Sequence, residues 1–174
     1  EVNALMDLAP VIHVVDADND ETTYATVWFK NGFRDATLAN TSTVSMEKLD
    51  PEQTWRLVVV ADDGNELSET VESTITLPNL NPSAAIDIVS THVWRGEATV
   101  LSAESSTDAD GTIEAYVWMW DGGSATGERP TVVVNQSTTV TLTITDNNGA
   151  KANTTMRLEP STGPSVQNLQ AIHD

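Results

Sequence analysis

The stretch that decides the fold is Thr139-Val140-Thr141-Leu142-Thr143-Ile144-Thr145. Apolar residues alternate with threonines, so an extended chain would place the apolar side chains on one face and the hydroxyls on the other. β-branched residues favour such a pleated, half-buried surface. The stretch therefore predicts a β-strand with one face in a core and the other face in solvent.

Similar alternation recurs along nearly the whole chain, and no 3.6-residue apolar stripe continues beyond two turns. The runs with this pattern are 23–30, 55–61, 71–77, 84–89, 98–103, 112–120 and 151–158. Turn clusters such as Asp62-Asp63-Gly64-Asn65 and Asn147-Asn148-Gly149 separate them. Short strands at regular spacing predict an all-β protein built from antiparallel sandwiches.

The chain also contains an internal repeat with an offset of about 90 residues. The matched pairs are Asp16 with Asp108, Tyr24 with Tyr116, and Trp28 with Trp120. We therefore predict two tandem immunoglobulin-like modules, the first cadherin-like at 1–79 and the second at 80–160. Residues 161–174 would be a linker and the start of a further module, or a tail. The first module has room for fewer strands, so either Glu1 to Leu8 supplies the missing edge strand, or this module is cut or open.

Charge and composition exclude several classes of partner. The 174 residues include 26 acidic and 8 basic side chains, a net charge of −18, and no cysteine. Nucleic acids and anionic membrane surfaces would repel such a chain. No apolar run approaches the ~18 residues of a membrane helix, so we expect no direct membrane insertion. Without cysteine, disulfide scaffolds and thiolate metal sites are also excluded.

The second module, at about 81–160, resembles a PKD domain, an immunoglobulin-like sandwich of secreted and surface proteins. The matching segments are Ser106 to Gly111, Tyr116 to Trp118, and Val140 to Gly149. The first module is similar to the broad bacterial and archaeal Ig-like group. Residues 165–174 resemble the opening strand of a fibronectin type III module. The resemblance implies an extracellular or cell-surface location and, since related PKD domains carry calcium, a bound Ca²⁺.

Aspartates concentrated in turns predict calcium independently of that resemblance, because Ca²⁺ prefers six to eight oxygen ligands. Alternate carboxylates of an extended Asp-x-Asp-x-Asp segment point to the same side. In an immunoglobulin-like topology, the loop before the third strand and the last hairpin share one pole. The predicted ligands are Asp16, Asp18, Asp20, Asp62 and Asp63 in the first module, and Asn81, Asp108, Asp110 and Asp146 in the second. The alternative is that these residues only stabilise turns.

No nucleophile motif surrounds the three histidines, and no long loop is available to build a substrate pocket, so we predict no enzyme activity. The favoured function is a spacer or adhesion segment of a larger surface or secreted protein, with calcium-stiffened joints. Its partners would be other modules of the same polypeptide, and a surface protein or polysaccharide. Two alternatives stay open: an accessory module that presents substrate to an exported hydrolase, and a surface-layer or filament subunit that exchanges strands.

Overall fold

The computed structural model describes residues 2–17 and 20–162. These residues form eleven β-strands, two short 3₁₀ helices and no α-helix. The strands are β1 (Thr23–Lys30), β2 (Phe33–Arg34), β3 (Thr54–Asp62), β4 (Val71–Thr76), β5 (Asp87–Ile88), β6 (Ala98–Ser102), β7 (Ile113–Trp120), β8 (Gly123–Thr126), β9 (Thr131–Val133), β10 (Thr138–Asp146) and β11 (Lys151–Leu158). All pairs between these strands are antiparallel. The prediction of an all-β, immunoglobulin-like fold is confirmed.

Spatial proximity divides the chain into two units. The first contains Glu1–Leu80 together with Ala109–Gly111, and the second contains Asn81–Asp108 and Thr112–Asp174. Within the described chain, no helix has the length and apolarity that crossing a membrane requires. The predicted tail module lies outside the described residues from position 163 onward.

The first module contains one four-stranded sheet with the order β2-β1-β3-β4. Its inner face carries Trp28 and Trp55, which meet edge to face with ring centroids 6.3 Å apart. Opposite this sheet, Leu8 and Val44 exchange two backbone hydrogen bonds of 2.9 and 3.0 Å in a single bridge. The N-terminal segment therefore contributes one bridge to the second layer, and no regular edge strand.

The second module contains two sheets, with the orders β11-β10-β7-β8 and β5-β6-β9. Val140, Leu142 and Ile144 of β10 are fully buried, as the alternation in the sequence predicts. They pack around Trp118, which is 0% exposed. Burial of these side chains drives the pairing of the two sheets, since each fully buried aliphatic side chain contributes about 1.5–3 kcal/mol.

The repeat was predicted to match Trp28 with Trp120, and this register is wrong by two residues. Trp28 and Trp118 fill equivalent places: both are buried and both donate an indole N–H to a loop carbonyl. Trp120 is only partly buried at the border of the second core. The predicted match used the constant spacing of aspartates and tyrosines in the sequence. In the structure, the equivalent positions of the two modules are those whose side chains fill the core.

Candidate functional site

The first candidate site lies in the loop around Asp16 and in the turn after β3. Asp16 Oδ2 accepts the amide of Asp20 at 2.8 Å. In the turn, Asp62 Oδ1 accepts the amide of Gly64 at 2.8 Å. Gly64 has φ +87°, a conformation that glycine adopts without steric cost. Side chain to backbone bonds of this kind are what aspartate contributes to tight turns.

Asp63 stabilises the same turn through its own carboxylate. Its Oδ1 accepts the amides of Asn65 and Glu66, each at 2.8 Å. The bond from the Glu66 amide, followed by that from Asn65, lowers the pKa of Asp63 below its ordinary value. The carboxylate of Asp16 acts in the opposite direction and raises that pKa. The two carboxylates are therefore close enough for electrostatic repulsion.

These residues share a surface cavity of about 370 Å³. Its lining includes Asp16, Asp62 and Asp63, as the topology predicted, together with Glu66, which the sequence reasoning did not select. Asp20 is not among the residues that line this cavity, and its described contact with Asp16 is made by its backbone amide. Asp18 lies outside the described residues. The alternation rule could not identify Glu66, because this residue follows the turn by position and belongs to no Asp-x-Asp pattern.

In the second module, Asp146 organises the last hairpin from the interior. It is 2% exposed, and its Oδ1 accepts the amides of Asn148 at 2.9 Å and Ala150 at 2.8 Å. Asn147 Oδ1 accepts the amide of Thr112 at 2.7 Å, which ties the hairpin to the start of β7. Among the other predicted ligands of this module, Asn81 is exposed and both carboxylate oxygens of Asp108 are buried.

Asp110 belongs to the first unit by proximity, together with Ala109 and Gly111. Its Oδ2 accepts the amide of Leu80 at 3.0 Å. Its Oδ1 is buried and accepts no hydrogen bond within the described part of the chain. A buried carboxylate oxygen without a donor loses hydration, and a bound cation would restore that loss.

All of these donors are oxygens, the type of ligand that Ca²⁺ prefers. Across residues 2–17 and 20–162, however, no three carboxylate or histidine side chains are grouped closely enough to hold a metal ion by themselves. Backbone carbonyls, amides of asparagine or water would have to supply the remaining ligands. The orphaned Oδ1 of Asp110 is the one observation that fits a cation directly.

The aromatic side chains are divided between the cores and the surface. Trp28, Trp55 and Trp118 are each 3% exposed or less, as expected for core residues. The ring of Trp94 stacks on His92, with centroids 5.3 Å apart and an interplanar angle of 20°. Trp94 also takes part in a contact with the chain that follows β11.

A short backbone contact in the second module joins the segment between β5 and β6 to the residues that follow β11. Trp94 and Ser161 form a parallel bridge. The Arg95 amide donates to the Ser161 carbonyl at 3.0 Å, and the Ser161 amide donates to the Val93 carbonyl at 2.9 Å. Sequence reasoning missed this contact because neither segment shows strand alternation.

Fold and loops together define an immunoglobulin-like β-sandwich module with oxygen-rich turns. Residues 79–159 match the family model described as PKD domain, so the second module is a PKD domain. No curated protein matches the chain.

Solved structures with a similar fold include two domains from Vibrio. The PKD1 domain of Vibrio anguillarum Epp is 24% identical, with a TM-score of 0.43, and the match covers 49% of this chain and 99% of that one. The PKD1 domain of the Vibrio cholerae metalloprotease PrtV is 24% identical, with a TM-score of 0.41 and coverage of 48% and 100%. A structure of carbohydrate-binding modules from the β-sandwich superfamily is 29% identical, with a TM-score of 0.46 and coverage of 51% and 38%.

Proposed function

We propose that the chain is a non-catalytic spacer and adhesion segment of a larger secreted or cell-surface protein. The observation that carries the proposal is the parallel bridge between Trp94 and Ser161. Its two hydrogen bonds connect the N-terminal part of the PKD domain to its C-terminal end. A domain closed in this way is suited to transmit tension along a polypeptide.

The physical reason is the direction of the load. Tension pulls the segment around Val93 toward its own N-terminus and the segment around Ser161 toward its own C-terminus. Because the two segments are parallel, they are pulled in opposite directions along one axis, and both hydrogen bonds are loaded in shear. On the N-terminal side, the load first reaches the Ser83–Thr107 bridge and the pairing of β5 with β6. On the C-terminal side, it reaches the bonds of Ser161 before β11 can be peeled from β10.

Single-molecule stretching tests this function. The chain is held by its two ends and extended at constant speed. A spacer built from two folded modules gives discrete unfolding events, with the PKD domain resisting to a defined force. Smooth extension without a resolved event for residues 81–160 would show that the domain does not act as a tension-bearing spacer.

Calcium binding belongs to the same proposal, at the predicted aspartates of both modules. The support is the shared cavity of Asp16, Asp62 and Asp63, and the buried Oδ1 of Asp110. Bound Ca²⁺ would neutralise carboxylates that repel each other and would fix the loops that hold them. Stiffened loops would then limit bending of the spacer.

The accessory-module alternative has one observation in its favour, the stacked pair of His92 and Trp94. A partly exposed indole supported from behind is a suitable platform for a sugar ring or an apolar peptide. Retention of the chain on insoluble polysaccharide or collagen, abolished by Trp94→Ala, would favour this alternative. Recovery of the chain in the unbound fraction on both materials would favour the spacer.

A further inference from the structure

One face of the PKD domain carries no acidic side chain. It is the outer face of the sheet β11-β10-β7-β8, and we call it the acid-free face. Strand registers place the following residues on it: Ser124 and Thr126 of β8; Ala115, Val117 and Met119 of β7; Thr139, Thr141, Thr143 and Thr145 of β10; Lys151, Asn153, Thr155 and Arg157 of β11. Within these strands its charged residues are Lys151 and Arg157, at the two ends of β11, and Arg157 forms an ion pair with Glu159 just beyond the strand, with an Nε to Oε1 distance of 2.9 Å.

This composition is unusual for a chain in which acidic residues exceed basic ones by 26 to 8. The face is also accessible, since Val117 is 40% exposed and Met119 is 62% exposed. Solubility alone would favour carboxylates at such outward positions. Their absence therefore indicates a surface that meets a partner, because burying an unpaired carboxylate is costly.

In the first module, the outer face of the four-stranded sheet is apolar at its centre but carries Asp62 at the end of β3 and Glu72 on β4. Val27 lies opposite Val58, and Ala25 lies opposite Val60, on the outer face of β1 and β3. The acidic residue Glu72 at this level of β4 is neutralised by Arg56, with an Nη1 to Oε1 distance of 2.8 Å. Each module, taken by itself, thus keeps uncompensated negative charge away from the centre of the outer face of its own four-stranded sheet.

The charge of the chain indicates which partner can contact the acid-free face. A second copy of this chain also carries a net charge of −18, so most approaches between two copies are repulsive. The acid-free face is a surface on which two copies can meet without opposing carboxylates. Threonine hydroxyls both donate and accept hydrogen bonds, so a threonine-rich face is complementary to another copy of itself.

We propose that two copies of this chain associate through their acid-free faces, sheet against sheet. Four strands about 4.8 Å apart and about seven residues long offer roughly 400 Å² per copy. The total of roughly 800 Å² is below the ~1,200 Å² of stable specific interfaces. The association is therefore weak for one pair of copies, and it becomes effective where many copies are displayed side by side on a surface.

Sedimentation equilibrium tests the proposal, with a chelator present so that calcium plays no part. Salt screens the general repulsion, since the Debye length falls from about 10 Å at 0.1 M to about 3 Å at 1 M. The weight-average mass of the wild-type chain should rise with protein concentration, and more steeply at high salt. A monomeric mass at every concentration in high salt would overturn the proposal.

Variants locate the interface. Thr143→Glu, at the centre of the face, should lower the association constant by about tenfold or more, because like charges would oppose each other across the interface. Thr131→Glu is the matched control, since Thr131 is exposed on β9 of the other sheet. Association of Thr143→Glu equal to that of the control would exclude this face. Thr155→Glu on the edge strand β11 gives the same test if Thr143→Glu melts at a lower temperature than the control.

A positive charge at position 143 shows which surface of the second copy the acid-free face contacts: another acid-free face, or an acidic surface. In a face-to-face pair, Thr143→Lys also places like charges opposite each other and weakens association. If the face instead contacted the acidic surface of a neighbour, Thr143→Lys would strengthen association. Weakening by both substitutions supports the face-to-face pair, and strengthening by lysine overturns it.

Discussion

The indole N–H of Trp118 donates to the backbone carbonyl of Gly127 at 2.9 Å. This bond connects the centre of the PKD core to the loop that follows β8. In the first module, the indole of Trp28 donates to the carbonyl of Thr41 at 3.0 Å. In both modules, therefore, a buried tryptophan of the core satisfies its indole N–H at a loop carbonyl.

Trp118→Phe should destabilise the PKD domain by about 2–3 kcal/mol, since it leaves the Gly127 carbonyl without this donor and removes ring volume from the core. Denaturant unfolding followed by circular dichroism measures the loss. Trp94→Phe is the matched control, because the Trp94 ring is only partly buried at the surface. Equal losses in the two variants would contradict the central role of Trp118.

Gly123 and its neighbour Gly122 should respond differently to alanine. A Cβ on Gly123 would lie 2.7 Å from Cζ2 of Trp120, so Gly123→Ala must displace the indole, at about 1–3 kcal/mol. Gly122 has open space around it but φ +90°, so Gly122→Ala costs about 1–2 kcal/mol through backbone strain alone. Tryptophan fluorescence should shift in Gly123→Ala only. A similar shift in both variants would contradict this separation of causes.

Alkaline pH should destabilise the PKD domain through Tyr116. Burial, and then the carboxylate of Glu128, raise the pKa of Tyr116 above its ordinary value near 10. The folded state thus favours the protonated phenol. The stabilisation is complete below the unfolded pKa and is lost as pH rises from about 10 through the raised pKa.

Thermal melting between about pH 9 and pH 12 measures this effect. Tyr116→Phe should flatten the alkaline decline of the melting temperature, since phenylalanine does not ionise. Tyr24→Phe is the control, because the Tyr24 side chain is 46% exposed on β1. An alkaline decline unchanged in Tyr116→Phe would contradict the assignment to this residue.

Calcium should raise the melting temperature of the chain at neutral pH. At a concentration of 100 times Kd, a ligand that binds only the folded state adds about 2.7 kcal/mol. Asp63→Asn should reduce the rise, because it removes a carboxylate from the cavity shared with Asp16. Asp35→Asn is the control: Asp35 caps a 3₁₀ helix of the same module. No rise at millimolar Ca²⁺ would contradict the calcium proposal.

The sequence predicts those strands in which apolar and polar residues alternate because one face is buried and the other is exposed. The range Thr23–Lys30 and the range Lys151–Leu158 are found with their predicted bounds. The strand predicted at 84–89 is only Asp87–Ile88 in the structure. Ala84 and Ile86 do pack against the core, but the backbone there is irregular and not part of a strand. Strands β8 and β9 were missed because they are only four and three residues long, too short for a period to be visible.

The candidate site was predictable to the extent that it depends on topology. The cavity that Asp16 shares with Asp62 and Asp63 follows from the position of two loops in an immunoglobulin-like module. The amides that already occupy these carboxylates could not be foreseen, because they depend on the path of each turn. The bridge at Ser161 was equally invisible, since its bonds use backbone atoms that every residue possesses.

The central claim is that the PKD domain transmits tension through the parallel bridge at Ser161. The most direct measurement is the unfolding force of Ser161→Pro in single-molecule stretching, because proline lacks the amide that donates to Val93. Thr162→Pro, one residue further along, is the matched control. We expect a clearly lower unfolding force for Ser161→Pro and a wild-type unfolding force for Thr162→Pro. A wild-type force for Ser161→Pro would contradict it.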